Sequence, residues 1–195
     1  MKISLALDTA TNRTIMALLN GDQLIWSESH DGATEHTETL IKLITEATKK
    51  FKNIDQVIVG MGPGPFTGLR AGIAFAQSFA FARGLPIFGV CSLDAIAAPI
   101  NDEEFIVATD ARRKEIYWAR YLNGKRVGDP QVTSITELPK LPIFGEGAFK
   151  YLLTTDVKHA YPKLISFPHL QNVNQPMYLR HPDAVPPKEF KSVNS

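Results

Sequence analysis

At 195 residues, with 44% hydrophobic side chains, the chain has ample apolar material for one packed domain or two small lobes. Twenty-one Lys and Arg against 20 Asp and Glu leave a formal net charge of +1, so no global field gathers a polyanion, and nucleic-acid contact would need a local patch. The single cysteine, Cys91, excludes an intramolecular disulfide and a cysteine-built zinc cage. The N-terminus reaches Asp8 too soon for a signal peptide, and no apolar run approaches the ~20 residues that span a bilayer, so a cytoplasmic protein is expected.

Residues 2–8 read as a first strand ending on Asp8, residues 13–19 as a second, and Asn20-Gly21-Asp22 as a hairpin turn into a third over 23–29. Residues 34–51 read as a helix, with Leu40, Ile41, Ile44, Ala47 and Phe51 as its apolar stripe. Glu35 and Glu38 at its start and Lys49 and Lys50 at its end suit the helix dipole. Leu40 stands four residues after His36, so a two-histidine metal pair on one helix face is absent and a solvated or interface histidine is expected. Val57, Ile58 and Val59 suit a strand buried on both faces.

Over 68–83, Leu69, Gly72, Ile73, Ala76, Phe79 and Ala80 recur at helical spacing, with Thr67 expected as N-cap and Gly84 as the glycine that closes the helix. So many small residues in one helix imply close approach by a sheet or a partner helix. Pro86 opens a further strand, Ser92 is placed to cap a short helix over 93–98, and Asn101-Asp102-Glu103-Glu104 is a polar break. The expected organisation is a first lobe over 1–101, a second over 102–187 and a disordered tail over 188–195. In the second lobe, strands at 105–109 and 115–122 flank Asp110, a turn follows at Asn123-Gly124, and proline-punctuated pieces include strands at 142–144 and 158–161 and a helix at 147–153.

Gly60, Gly62 and Gly64, interleaved with Pro63 and Pro65, demand a preset backbone path between strand and helix. The loop is not a Walker A sequence, because Leu69-Arg70 follows Gly68 where Lys-Ser/Thr would bind phosphate and magnesium; nor is it a dinucleotide fingerprint, its spacing being one residue too long. No Gly-x-Ser-x-Gly, His-Glu-x-x-His or paired cysteine is present, and Asp8 and Asp110 are the carboxylates at strand ends facing a presumed cleft. Arg112, Arg113 and Lys114 suit either an anion, such as a phosphate or a tRNA backbone, or a solvated charge run.

The string Gly62-Pro63-Gly64-Pro65-Phe66-Thr67-Gly68-Leu69-Arg70-Ala71-Gly72, followed by Gly89-Val90-Cys91-Ser92-Leu93, closely resembles the bacterial TsaB (YeaZ) family, with Pro65 and Cys91 each replacing a serine. Leu7-Asp8-Thr9-Ala10-Thr11 and Pro176-Met177-Tyr178-Leu179-Arg180 extend the resemblance over almost the whole chain. It implies a two-lobed α/β fold of the actin-like/Hsp70-like (ASKHA, ribonuclease H-like) type with a shortened second lobe. It also implies a non-catalytic scaffold in the synthesis of tRNA N6-threonylcarbamoyladenosine. Such a subunit stabilises and orients TsaD, which carries the metal and the transferase site, and the ATPase TsaE joins them. On the same resemblance tRNA is met through the complex only, the lone chain forms a homodimer, and no cofactor is intrinsic, with room for ATP or ADP at the partner interface. Partner contacts are expected at His36, Leu40, Leu43, Ala47, Thr67, Arg70, Gly72 and Ala76. Asp8, Thr9, Gly62 and Gly64 are the candidates for touching a nucleotide or phosphate, although neither Thr9-Ala10-Thr11-Asn12 nor the loop after Asp110 carries the glycine usual in nucleotide-binding relatives. The alternatives are an actin-like ATP-binding small-molecule kinase and a hydrolase.

Overall fold

The computed structural model describes residues 2–32 and 34–180, so the tail expected over 188–195 lies outside the described residues. Strands β1 (Ile3–Asp8), β2 (Arg13–Asn20) and β3 (Gln23–Asp31) form an antiparallel meander. Strands β4 (Gln56–Gly60) and β5 (Ile87–Val90) add in parallel on the other side of β1, giving the order β3-β2-β1-β4-β5. Central β1 is buried at all six positions. Its residues alternate between the faces, as the pleat requires. Leu5 and Leu7 join Met16, Leu18, Val57 and Val59 on one face, and Ala6 joins Ala17 and Ile58 on the other.

The first face is covered by α1 (His36–Lys50) and α2 (Phe66–Arg83), through Leu40 and Ala47 from one helix and Leu69, Ile73, Ala76 and Ala80 from the other. Ile41, counted into the inward stripe from the sequence, is 57% exposed, because it lies one residue round the helix from Leu40. Helix α2 begins at Phe66 after Pro65, so Thr67 is an exposed first-turn residue and not the cap. Its other end follows the sequence: Gly84 is left-handed at φ 64°, its N–H donates to the Phe81 carbonyl, and the Leu85 N–H donates to that of Ala80.

The second sheet repeats the first in outline. Strands β6 (Glu104–Asp110), β7 (Glu115–Leu122) and β8 (Lys125–Ser134) form a meander, and β9 (Ile143–Phe144) runs parallel to β6 in the order β8-β7-β6-β9. Helix α4 (Glu146–Lys150) follows β9 as α2 follows β4, while the place of α1 is taken by a 3-10 turn at Ile135–Glu137. The chain is thus a two-lobed actin-like, ribonuclease H-like α/β fold with a shortened second lobe. Between the sheets, α3 (Ser92–Ala97) sends Leu93, Ile96 and Ala97 into a core with Phe105, Val107 and Tyr121.

The expected strand at 158–161 is absent. Ala160 and Pro162 are buried as anchors, and the backbone turns into a 3-10 helix, Leu164–His169. Leu164 and Phe167 from that helix cover the second face of the first sheet. The Val173 N–H donates to the Gly89 carbonyl and the Met177 N–H to that of Met61, each at 2.8 Å. The polar break at 101–104 therefore separates the sheets, yet the chain returns to the first lobe.

Candidate functional site

Asp8 ends β1 at the head of the junction between the lobes and is fully buried. One carboxylate oxygen accepts the Ala10 N–H at 2.8 Å, and the other accepts the Ser92 hydroxyl at 2.6 Å. Burial pushes its pKa up to about 6 against the pull of those two bonds. Ser92, expected as a helix cap, is committed to Asp8 instead, and Cys91 holds the cap position.

The glycine loop closes over this carboxylate. A Cβ on Gly60 would lie 1.9 Å from an Asp8 oxygen, and one on Gly64 would lie 2.3 Å from the Ala10 carbonyl oxygen. Gly62 has φ 90°, and its carbonyl accepts the Ser92 N–H at 2.8 Å. Thr9 donates its hydroxyl to the Gly68 carbonyl at 2.7 Å, where a Cβ on Gly72 would stand 2.2 Å from the Thr9 oxygen. Asp8, Thr9, Gly62 and Gly64 are thus brought together as the sequence suggested, and all four are buried against the chain itself.

The second lobe carries the expected Asp110 and, with it, a counterpart of the glycine loop that was not read from the sequence. Asp110 ends β6, and its backbone N–H donates to the buried Glu146 carboxylate at 2.9 Å. Cβ atoms on Gly145 and Gly147 would collide with Ala108 and Thr109 backbone atoms at 2.1 and 2.6 Å. Gly145-Glu146-Gly147 after β9 therefore repeats the close approach of the loop after β4. The signal was a Gly-x-Gly following an apolar strand. Asp110 is engaged by Lys150 Nζ at 2.5 Å and by the Tyr151 hydroxyl at 2.8 Å.

Between the lobes runs a narrow crevice lined by His36, Pro65, Gly68, Asp110, Arg112 and Glu146. His36, expected to be solvated or interfacial, is buried, with Nδ1 2.7 Å from the Thr14 hydroxyl. Burial, and then the Arg112 guanidinium, hold its pKa below the usual imidazole value. Cys91 is also buried, with its thiol pushed up to about 12 by desolvation, so it supplies no thiolate at neutral pH.

Of the eight expected partner contacts, His36, Leu40, Ala47, Gly72 and Ala76 face inward, Leu43 is half-buried, and Thr67 and Arg70 are exposed. Gly72 and Ala76 of α2 admit Thr9 and the chain's own sheet, so at these two positions the close neighbour is the sheet and not a partner helix. Another row faces outward: Arg70, Ala74, Gln77, Ser78 and Phe81 on α2, with Ile41 on neighbouring α1. Phe81 is 91% exposed. Among the described residues no group of three metal-ligating side chains is assembled, and no helix is long and apolar enough to cross a membrane.

A family model described as TsaD, tRNA N6-adenosine threonylcarbamoyltransferase, matches residues 30–176. An uncharacterised protein of Mycobacterium tuberculosis is 36% identical over 199 residues, covering 93% of each chain. The tRNA threonylcarbamoyladenosine biosynthesis protein TsaB of Escherichia coli is 34% identical over 125 residues, covering 60% of this chain and 54% of its own length. The solved structure of YeaZ from Pseudomonas aeruginosa superposes with a TM-score of 0.68 at 25% identity, over 86% of this chain and 89% of that one. The chain belongs to the TsaB (YeaZ) family, within the wider family whose model is described as TsaD.

Proposed function

We propose that this chain is an accessory, non-catalytic subunit in the synthesis of tRNA N6-threonylcarbamoyladenosine, and that it stabilises and orients a TsaD-like transferase in the cytoplasm. The observation that carries the reading is the outward row of α2. An 18-residue helix that already buries its inner face also presents Ala74, Ser78 and a nearly naked Phe81 outward, and α1, packed against it, leaves Ile41 exposed. Small residues flanking a protruding aromatic suit helix-against-helix packing, and exposed apolar rows of this kind mark interaction sites.

The state of the polar groups supports an accessory role. Asp8 is sealed behind Ser92 and the glycine loop, Asp110 is held by Lys150 and Tyr151, and the Cys91 thiol stays protonated. In this reading the partner helix pair packs on α1 and α2, a TsaE-like ATPase joins the assembly, and any ATP or ADP sits at the subunit interface. A second copy of the chain takes the partner's place when the partner is missing. The test is reconstitution: labelled threonine is followed into unmodified tRNA by the organism's transferase and ATPase, with and without this chain. Incorporation that depends on the chain and survives Asp8→Asn supports the accessory role. Incorporation unaffected by omitting the chain contradicts it.

A further inference from the structure

Residues 176–180, a strap that returns to the first lobe, and the β6–β7 loop bring cations and aromatic rings next to Pro65, Gly68 and Arg112 of the crevice between the lobes. Tyr178 lies with its ring 5.0 Å from that of Phe66, in the first turn of α2, and the Arg70 guanidinium sits 3.8 Å over the same Phe66 ring. Two residues after Tyr178, Arg180 donates to the Ala111 carbonyl at 2.7 Å and pairs with Glu115 at 2.8 Å, which ties the strap to the β6–β7 loop. Arg112, next to Ala111, lines the crevice with Pro65 and Gly68 at the start of α2. Arg70, Phe66, Tyr178 and Arg180 are thus linked to the β6–β7 loop, whose Arg112 lines the same crevice as the start of α2.

The loop is built to spread its charges. Arg112, Arg113 and Lys114 all have left-handed backbones, at φ 63°, 54° and 63°, and all three are exposed. A left-handed backbone is unfavourable for a side chain with a Cβ and persists only where surrounding contacts hold it. The Asp110 carboxylate accepts the Arg112 N–H, and the Lys114 carbonyl accepts that of Ile135. The acids nearby are already committed: Asp110 to Lys150, Glu115 to Arg180, and Glu146 to the Asp110 backbone. Among the described residues, no ion pair engages Arg70, Arg112 or Lys114.

We propose that this rim binds RNA directly, with Arg70, Arg112 and Lys114 on successive phosphodiesters and an unstacked base on the exposed ring of Tyr178 beside Phe66. A chain of net charge +1 that gathers unpaired cations around aromatic rings matches the combination by which single-stranded nucleic acid is held, backbone on cations and bases on rings. The surface rests on charge and rings alone; that the RNA is the tRNA being modified rests on the function proposed above.

The test is fluorescence anisotropy with the full chain, a labelled unmodified tRNA transcript, and a labelled oligouridine as the single-stranded probe. Three phosphate contacts predict a log-log salt slope of about −2 for the oligomer. Arg70→Glu, Arg112→Glu and Lys114→Glu should each weaken binding roughly 5- to 10-fold and flatten the slope, and Tyr178→Ala should weaken it with the slope kept. Lys125→Glu, at the start of β8, should leave it unchanged. Equal effects at Lys125 and at the rim, or no salt-dependent binding by wild type, overturn the proposal. Light scattering with the transferase partner is run on the same variants. Loss of the protein complex with RNA binding intact makes the rim a protein surface and also overturns the proposal. A wild type that binds RNA through the rim but forms no complex instead removes the accessory-subunit reading.

Discussion

Asp8 shows what becomes of a strand-end carboxylate once the chain closes over it. Its pKa of about 6 lies above the ordinary 3.8, so between those values the folded state holds a proton that the unfolded state has lost. Stability is therefore greatest below about pH 4 as far as this group is concerned, and falls as pH rises through 6, by about 3 kcal/mol in all. His36 acts in the opposite sense: its folded pKa is depressed, so stability is lost as pH falls below about 6.5 and the imidazole must take up a proton. Asp8→Asn should therefore gain stability relative to wild type between pH 4 and pH 7, exposing the acid-side loss from His36 in urea melts. A difference between the two proteins that does not vary with pH would contradict this. Gly72 makes a separate prediction. Gly72→Ala should cost about 1–3 kcal/mol by displacing the Thr9 hydroxyl from the Gly68 carbonyl. Adding Thr9→Ala should recover part of that cost, and strict additivity of the two changes would contradict the packing described.

The helices separate what burial does from what exposure offers. Leu40→Ala on α1 removes a fully buried side chain and should cost about 2–5 kcal/mol, read as a lower melting midpoint. Ile41→Arg, one residue on, and Phe81→Arg on α2 should leave the midpoint within ~0.5 kcal/mol and act on assembly alone. The strands and helices of the first lobe were legible because their patterns are strong: the triple Val57-Ile58-Val59, the hairpin at Asn20-Gly21, and the closing Gly84 each have one physical reading. What could not be read was which face of α2 was which. Ala71, Gly72, Ala74 and Ala76 are small all round, so periodicity does not separate the residues that admit Thr9 from those that face outward. His36 was misread for a related reason, since its burial depends on Thr14, which is 22 positions away in the chain and was not linked to it by any pattern.

The whole chain is a repeated plan with one copy worn down. Two meanders each end their first strand on an aspartate, each add a parallel strand, and each bring a glycine turn onto that aspartate's own strand end. The repeat of strands was legible, the one at 142–144 included; the role of Gly145-Glu146-Gly147 after it was not, because it rests on contacts with Ala108, Thr109 and Asp110 of another strand. Nor was the return of residues 164–177 to the first sheet, which depends on Phe167 and Met177 finding partners more than 80 residues back. That return seals the first lobe, so Phe167→Ala, which empties a buried site on the second face of the first sheet, should cost about 3–5 kcal/mol, read as a lower melting midpoint.

The most direct measurement is the solution mass, by light scattering after size exclusion, of the chain mixed with its organism's TsaD, for wild type, Ile41→Arg and Phe81→Arg. A mixed species is expected for wild type and is lost in both variants while their melting midpoints stay put. A complex that persists in both variants would move the interface off α1 and α2. No complex with or without nucleotide, together with ATP turnover by the lone chain, would contradict the accessory role outright.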